Sequence, residues 1–194
     1  MLSSNKLTMI RFCCAPVVFF VWFFLVESEF SPRLGTLVLW ALFLFSVATD
    51  VLDGYFARRM NQVTDMGKLM DPFSDVLLLV THFVCFLAAD LMGVWSLIII
   101  LWREFAIMFI RMFLIHRQVA LGASFIGKLK TVLYFVGVAG GISALTLRVW
   151  LPAHPALPSV EYVCGLLLVI AALAALISLA DYLRKCMKII RDRG

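Results

Sequence analysis

Four aspartates, Asp50, Asp53, Asp71 and Asp75, stand inside two long apolar stretches, in the pattern Asp50-x2-Asp53-Gly54-x2-Ala57-Arg58-x8-Gly67-x3-Asp71-x3-Asp75. Burying carboxylates in such surroundings is costly and calls for a cation and a task to offset it. On a helix turning about 100° per residue, Asp53, Gly54 and Ala57 lie within about 60° of Asp50, so carboxylates and small residues share one face. On the following helix Gly67, Asp71 and Asp75 form an i, i+4, i+8 stripe. A connection of about ten residues, Arg58 to Gly67, makes the two helices antiparallel neighbours, and the four carboxylates can then converge. Carboxylates this close resist joint ionisation unless a cation joins them. Oxygen-only ligands select a hard divalent ion, Mg²⁺ or Mn²⁺ before Zn²⁺.

Gly54, Ala57 and Gly67 lack bulk and let a flat or phosphorylated ligand approach the helix backbones beside the metal. Small residues also serve plain helix packing in membranes, but three of them in register with four aspartates favour the ligand. Arg58 lies about 80° from Asp50 at the helix end, where it reaches either a phosphate or the lipid headgroups. Pro72 admits two local structures: Asp71 caps a helix with proline at its first position, or a helix beginning near Thr64 is kinked there.

The elements that must carry these residues are membrane helices. The 194 residues are 63% hydrophobic and only 15% charged, with a mean hydropathy of +1.02, which excludes an ordinary soluble domain. The expected fold is an all-α integral membrane bundle of six transmembrane helices with an N-terminal interfacial amphipathic helix. Ser3 to Phe12 supplies the interfacial helix, with Lys6 and Arg11 among Leu7, Met9, Ile10 and Phe12. The spans run from Cys13 to Val26, Leu34 to Ala57, Leu69 to Ala89, Val94 to Ile115, Leu129 to Val149 and Val160 to Tyr182. No small-residue cleavage site follows the first apolar run, which reads as a retained anchor. No linker or low-complexity tract divides the chain, so residues 1–194 read as a single domain. The five cysteines have no CxxC spacing and the three histidines are scattered, which suits neither a redox pair nor a zinc site.

If both termini share one side, that side holds fourteen of the seventeen Lys and Arg residues. They include Lys6, Arg11, Arg58, Lys68, Arg111, Arg117, Lys128 and Lys130, and the other side keeps only Arg33 and Arg148. The positive-inside rule then places both termini and the aspartate-bearing helix ends in the cytoplasm, at the inner membrane. The net charge of +5 reads as this orientation signal plus affinity for anionic phospholipid headgroups. Dispersed over helix ends, the basic residues form no nucleic-acid surface.

The aspartate pattern resembles the signature of the CDP-alcohol phosphotransferase family at all eight fixed positions. Asn5-x-Leu7-Thr8-x2-Arg11-x4-Pro16 is similar to the family's amino-terminal segment. Arg103-Glu104 through Arg111, and Gly127-Lys128-Leu129-Lys130-Thr131, are similar to later segments of its bacterial members that use glycerol 3-phosphate. The resemblance implies six transmembrane helices, a homodimer, and a cytoplasm-facing metal site. It also implies transfer of a phosphatidyl group from CDP-diacylglycerol to an alcohol with release of CMP. Asp50, Asp53, Asp71 and Asp75 would hold one or two Mg²⁺ or Mn²⁺ ions, and Asp75 would also be the catalytic base. The CDP-diacylglycerol pocket would be shaped by Asp50, Asp53, Gly54, Ala57, Arg58, Gly67 and Asp71.

For the acceptor, Arg103 falls inside the fourth span, where an ionised side chain is expensive. Arg111 follows about 12 Å along that helix, and Lys128 and Lys130 open the next helix on the same side. Together they would form a cationic pocket for the phosphate of glycerol 3-phosphate. The plainer readings are an Arg103–Glu104 pair, a snorkelling Arg111 and lysines that only set orientation. The family's members that use glycerol 3-phosphate usually carry a lysine directly after the fourth aspartate, where this chain has Val76. Inositol phosphate, serine and phosphatidylglycerol therefore stay open as acceptors. A divalent-cation transporter is the rival from another class, but it would spread acids through the membrane and bring an internal repeat. Here four acids gather at one face, while Glu27, Glu29, Asp90 and Glu161 lie at the opposite loops.

Overall fold

The computed structural model describes residues 4–60, 65–116 and 125–193, with side chains over 9–49, 72–114, 125–188 and at Arg191. Six helices follow one another: α1 (Ser4–Val21), prolonged by π-helical turns over Trp22–Glu27, α2 (Pro32–Met60), α3 (Asp65–Ala88), α4 (Val94–His116), α5 (Phe125–Trp150) and α6 (Leu157–Arg193). Among the described residues there is no strand. The connection containing Arg117, part of the orientation argument, lies outside the described residues.

Among the described residues four stretches are long and apolar enough to cross a membrane: Met9–Glu27, Pro32–Thr49, Phe125–Trp150 and Leu157–Lys188. These mark a membrane protein, and α3 and α4 are not among them. The described side chains of α3 begin at Pro72, and from there to Ala88 the helix is apolar. Arg103, Glu104 and Arg111 interrupt α4.

Three expectations about boundaries change. Ser3–Phe12 and Cys13–Val26 do not form two elements. One helix runs unbroken from Ser4 and takes π-helical form only at Trp22, with Pro16 tolerated inside it. Arg58–Met60 and Asp65–Gly67, expected in the α2–α3 connection, are helical, since α2 continues to Met60 and α3 begins at Asp65. Pro72 lies inside α3, which begins at Asp65, so Asp71 does not cap that helix. The missing N–H withdraws the hydrogen bond that the Lys68 carbonyl would have accepted.

The helices pack because small residues let large ones close in. A Cβ added to Gly141 on α5 would come within 2.4 Å of the Phe86 ring on α3, so only glycine permits that crossing. Phe83, Phe86, Tyr134, Ile142 and Leu168 are fully enclosed, and Ala171, Ala172 and Ala175 present α6 to them. Helix α1 packs against both α2 and α3, and α5 also touches both, so the two aspartate-bearing helices are braced from two sides.

At one end of the bundle polar contacts lace the helices together. Arg148 at the end of α5 donates from Nε to Glu161 Oε1 on α6 at 2.8 Å and from Nη1 to the Ala89 carbonyl after α3 at 2.9 Å. Trp150 Nε1 donates to Thr36 Oγ1 at 3.1 Å, with the Arg33 guanidinium 5.5 Å above the Trp150 ring. Trp40 Nε1 donates to Thr146 Oγ1 at 3.0 Å. In the adjoining turn Asp90 takes a left-handed φ of 59°, and Leu91 N–H bonds the Phe86 carbonyl at 2.8 Å, a glycine-type helix stop achieved with aspartate.

Candidate active site

At the other end the bundle opens into a cavity of about 410 Å³ between α3, α4, α5 and α6. Asp75, Arg103, Arg111, Lys128 and Lys130 all line it. Five residues chosen for their chemistry, from three helices, thus surround one space. Asp75 is 38% exposed, and its Oδ1 is ion-paired with Nη1 of Arg11, which is itself only 2% exposed. Arg11 was read as an interfacial and orienting cation. The structure places it at the site, reaching from α1 across to α3.

The remaining signature residues follow from the backbone. Asp50, Asp53, Gly54, Ala57 and Arg58 fall on the last turns of α2, and Gly67 and Asp71 on the first turns of α3. Their side chains lie outside the described residues. Ser46 of α2 and Asp75 of α3 border the same small cavity. Asp50 is one turn beyond Ser46 and Asp71 one turn beyond Asp75, both toward the 61–64 connection. By residue type alone, four carboxylates are ligands that a hard divalent cation takes.

Deeper in the cavity lies an ion cluster that sequence spacing did not reveal in full. Arg103 Nη1 donates to Glu104 Oε1 and Oε2 at 3.0 and 2.9 Å, and Nη2 donates to Ser178 Oγ on α6 at 2.8 Å. Lys130 Nζ, reaching over from α5, donates to Glu104 Oε1 and stands 4.3 Å above the Tyr134 ring. All three charged residues are buried. The plain Arg103–Glu104 pair is therefore present, and it recruits Lys130 as well. One carboxylate cannot neutralise two cations, so the cluster keeps positive charge facing the cavity. The buried Nε of Arg103 has no hydrogen-bond partner among the described residues, leaving a donor for something bound there. Arg111 and Lys128 at the rim are exposed.

Such a cavity can hold a dianionic phosphate: four cations line it against two carboxylates, one of which Arg11 already engages. Ser178, Thr131 and Tyr182 also border it. Glu104, Ser178 and Arg11 were missed as site residues for the same reason. Their partners are remote in sequence or depend on which way a helix face turns, and only the unusual presence of charge in apolar helices hinted at them.

The family model described as CDP-alcohol phosphatidyltransferase matches residues 1–179. A Treponema pallidum (strain Nichols) protein named CDP-diacylglycerol--glycerol-3-phosphate 3-phosphatidyltransferase is 44% identical over 97 residues, covering 50% of this chain and 45% of that protein. The chain thus aligns to about half the length of that relative. Proteins of the same name from Bacillus subtilis (strain 168) and Rickettsia felis (strain ATCC VR-1525 / URRWXCal2) align more fully. The first is 32% identical over 70% of this chain and 73% of the relative; the second is 30% identical over 95% of this chain and 94% of the relative. Carrying the signature on α2 and α3 and matched across nearly its whole length, the chain belongs to the CDP-alcohol phosphatidyltransferase family.

Proposed function

We propose that this protein transfers the phosphatidyl group of CDP-diacylglycerol to sn-glycerol 3-phosphate, giving phosphatidylglycerophosphate and CMP in phospholipid synthesis. One observation carries the choice of acceptor: four cations surround the cavity beside Asp75, and a buried Arg103 N–H has no partner among the described residues. A phosphate monoester is close to doubly charged at neutral pH, which suits that surplus better than serine or phosphatidylglycerol would.

One or two Mg²⁺ or Mn²⁺ ions, held by Asp50, Asp53, Asp71 and Asp75, would supply neutralisation of the pyrophosphate and of the departing CMP. The small residues Gly54, Ala57 and Gly67 admit the CDP moiety against the helix backbones, with Arg58 beside its phosphates. Arg103, Arg111, Lys128 and Lys130 hold the acceptor phosphate and so aim the glycerol hydroxyl at the diacylglycerol-bearing phosphorus. As the new O–P bond forms and the bond to CMP breaks, Asp75 takes the hydroxyl proton. Arg11 fixes one oxygen of that carboxylate in place.

In this reading all six helices cross the inner membrane. The charges of α4 turn into the cavity, both termini and the cavity mouth face the cytoplasm, and residues 1–194 act as one domain. Large apolar side chains such as Phe105, Phe109 and Trp102 on α4 are exposed and meet membrane phospholipid or a second copy in a homodimer.

Incubating the purified protein with labelled CDP-diacylglycerol, Mg²⁺ and each candidate alcohol tests the reading. Phosphatidylglycerophosphate should form from glycerol 3-phosphate, and product only with inositol phosphate, serine or phosphatidylglycerol would reassign the acceptor. Arg111→Ala should raise the KM for glycerol 3-phosphate about tenfold with little change for CDP-diacylglycerol. Equal effects on both substrates would remove Arg111 from the acceptor pocket.

A further inference from the structure

Next to the main cavity lies a second, much smaller one of about 20 Å³, bordered by Phe43 and Ser46 of α2, Asp75, Leu79 and His82 of α3 and Phe135 of α5. Asp75, Leu79 and Phe135 wall both spaces, so the small one is a spur of the large one. His82 is 2% exposed in the middle of an apolar helix, a setting that is costly for a polar ring without a purpose. The ring is seated between Phe43 and Phe86, with centroids 6.3 and 6.4 Å away.

Its hydrogen bonding is half complete. Nδ1 lies 2.8 Å from the Leu78 carbonyl. A carbonyl can only accept, so Nδ1 carries the proton and Nε2 of the neutral ring is left as an acceptor. Nε2 is buried and has no hydrogen-bond partner among the described residues. Ser46 Oγ, on a residue 7% exposed, borders the same space. His82 follows Asp75 by seven residues, about 10 Å along the same face of α3. That separation is too long for direct contact and suited to an intervening hydroxyl and water. A polar void needs about 10–15 Å³ to admit one water, which then wants two to four partners. The spur meets both conditions.

We propose that the spur is hydrated and that His82 and Ser46 anchor its water, making His82 a positioning residue that acts on Asp75 through Ser46 and that water. Water donates one hydrogen to His82 Nε2 and the other to Ser46 Oγ, and the Ser46 hydroxyl donates to the Asp75 carboxylate. The chain ends there, on the side away from the phosphate pocket, and holds the carboxylate at one angle toward the acceptor. The inference rests on the proposed role of Asp75 as base.

Two independent readouts test it. The chain has three histidines, so ring ¹⁵N resonances of ¹⁵N-histidine-labelled, metal-free protein in lipid bilayers can be assigned by loss of one set in His82→Gln. The His82 Nε2 resonance should be of acceptor type, show a cross-peak to water protons, and shift in Ser46→Ala. A dry Nε2 overturns the proposal. In turnover assays His82→Leu should lower kcat about tenfold while leaving both KM values near those of the parent. His82→Gln, which restores an acceptor, should recover part of the loss. A well-folded His82→Leu protein with unchanged kcat also overturns it, and Ser46→Ala, expected to lose about threefold, supplies a second variant with little risk to folding. Retained turnover in Asp75→Asn would instead remove Asp75 as base, leaving the water contact at His82 intact, so the two failures are distinguishable.

Discussion

Asp75→Asn should cut CMP release by about three orders of magnitude in a protein that still purifies as a monodisperse membrane bundle. Asparagine keeps the shape and an oxygen for Arg11, so α1 and α3 remain tied, but it cannot take the acceptor proton. The loss should fall on kcat and not on the KM for glycerol 3-phosphate, because in the proposed mechanism the acceptor phosphate is held by α4 and α5. Turnover within tenfold of the parent would transfer the base role to another group.

The largest effect on stability should come from Glu104→Ala. Removing the carboxylate leaves Arg103 and Lys130 buried and facing one another without a counter-charge. Breaking a buried pair from one side costs about 3–5 kcal/mol. For a chain of this length that should lower the thermal midpoint in detergent by on the order of 10 °C. The combined replacement Arg103→Met, Glu104→Leu, Lys130→Met should regain most of that stability yet have no acceptor affinity, since apolar residues of similar volume can replace a buried ion cluster without loss. A midpoint unchanged in Glu104→Ala would mean that the cluster is hydrated and not a packing element.

The parts of this architecture visible in the sequence are those enforced by helical period and by the cost of charge in lipid. The signature aspartates could be placed on two helix faces because their spacing repeats with the turn. Arg103, Arg111, Lys128 and Lys130 stood out because apolar helices rarely carry such groups without reason. Period and cost do not say where a charge is directed. Glu104 follows Arg103 directly and looked like its private partner, whereas α5 brings Lys130 to the same oxygen from twenty-six residues away. Arg11 resembled an interfacial cation until the packing of α1 on α3 set it against Asp75, sixty-four positions distant. The first helix was divided at Phe12 because its polarity changes there. Hydrogen bonding along the backbone ignores that change, and the helix continues. His82 offered no motif, being one histidine in an apolar run, and only its unfilled Nε2 beside a void gave it meaning.

The lacing of Arg148, Glu161, Trp150 and Thr36 far from the aspartates carries a consequence for traffic. From Asp75 to Ala88, α3 rises about 20 Å, from the cavity to these interlocked aromatic and charged groups. With the described residues interlocked at that end, the proposed reaction would take in glycerol 3-phosphate and release CMP at the Asp75 end.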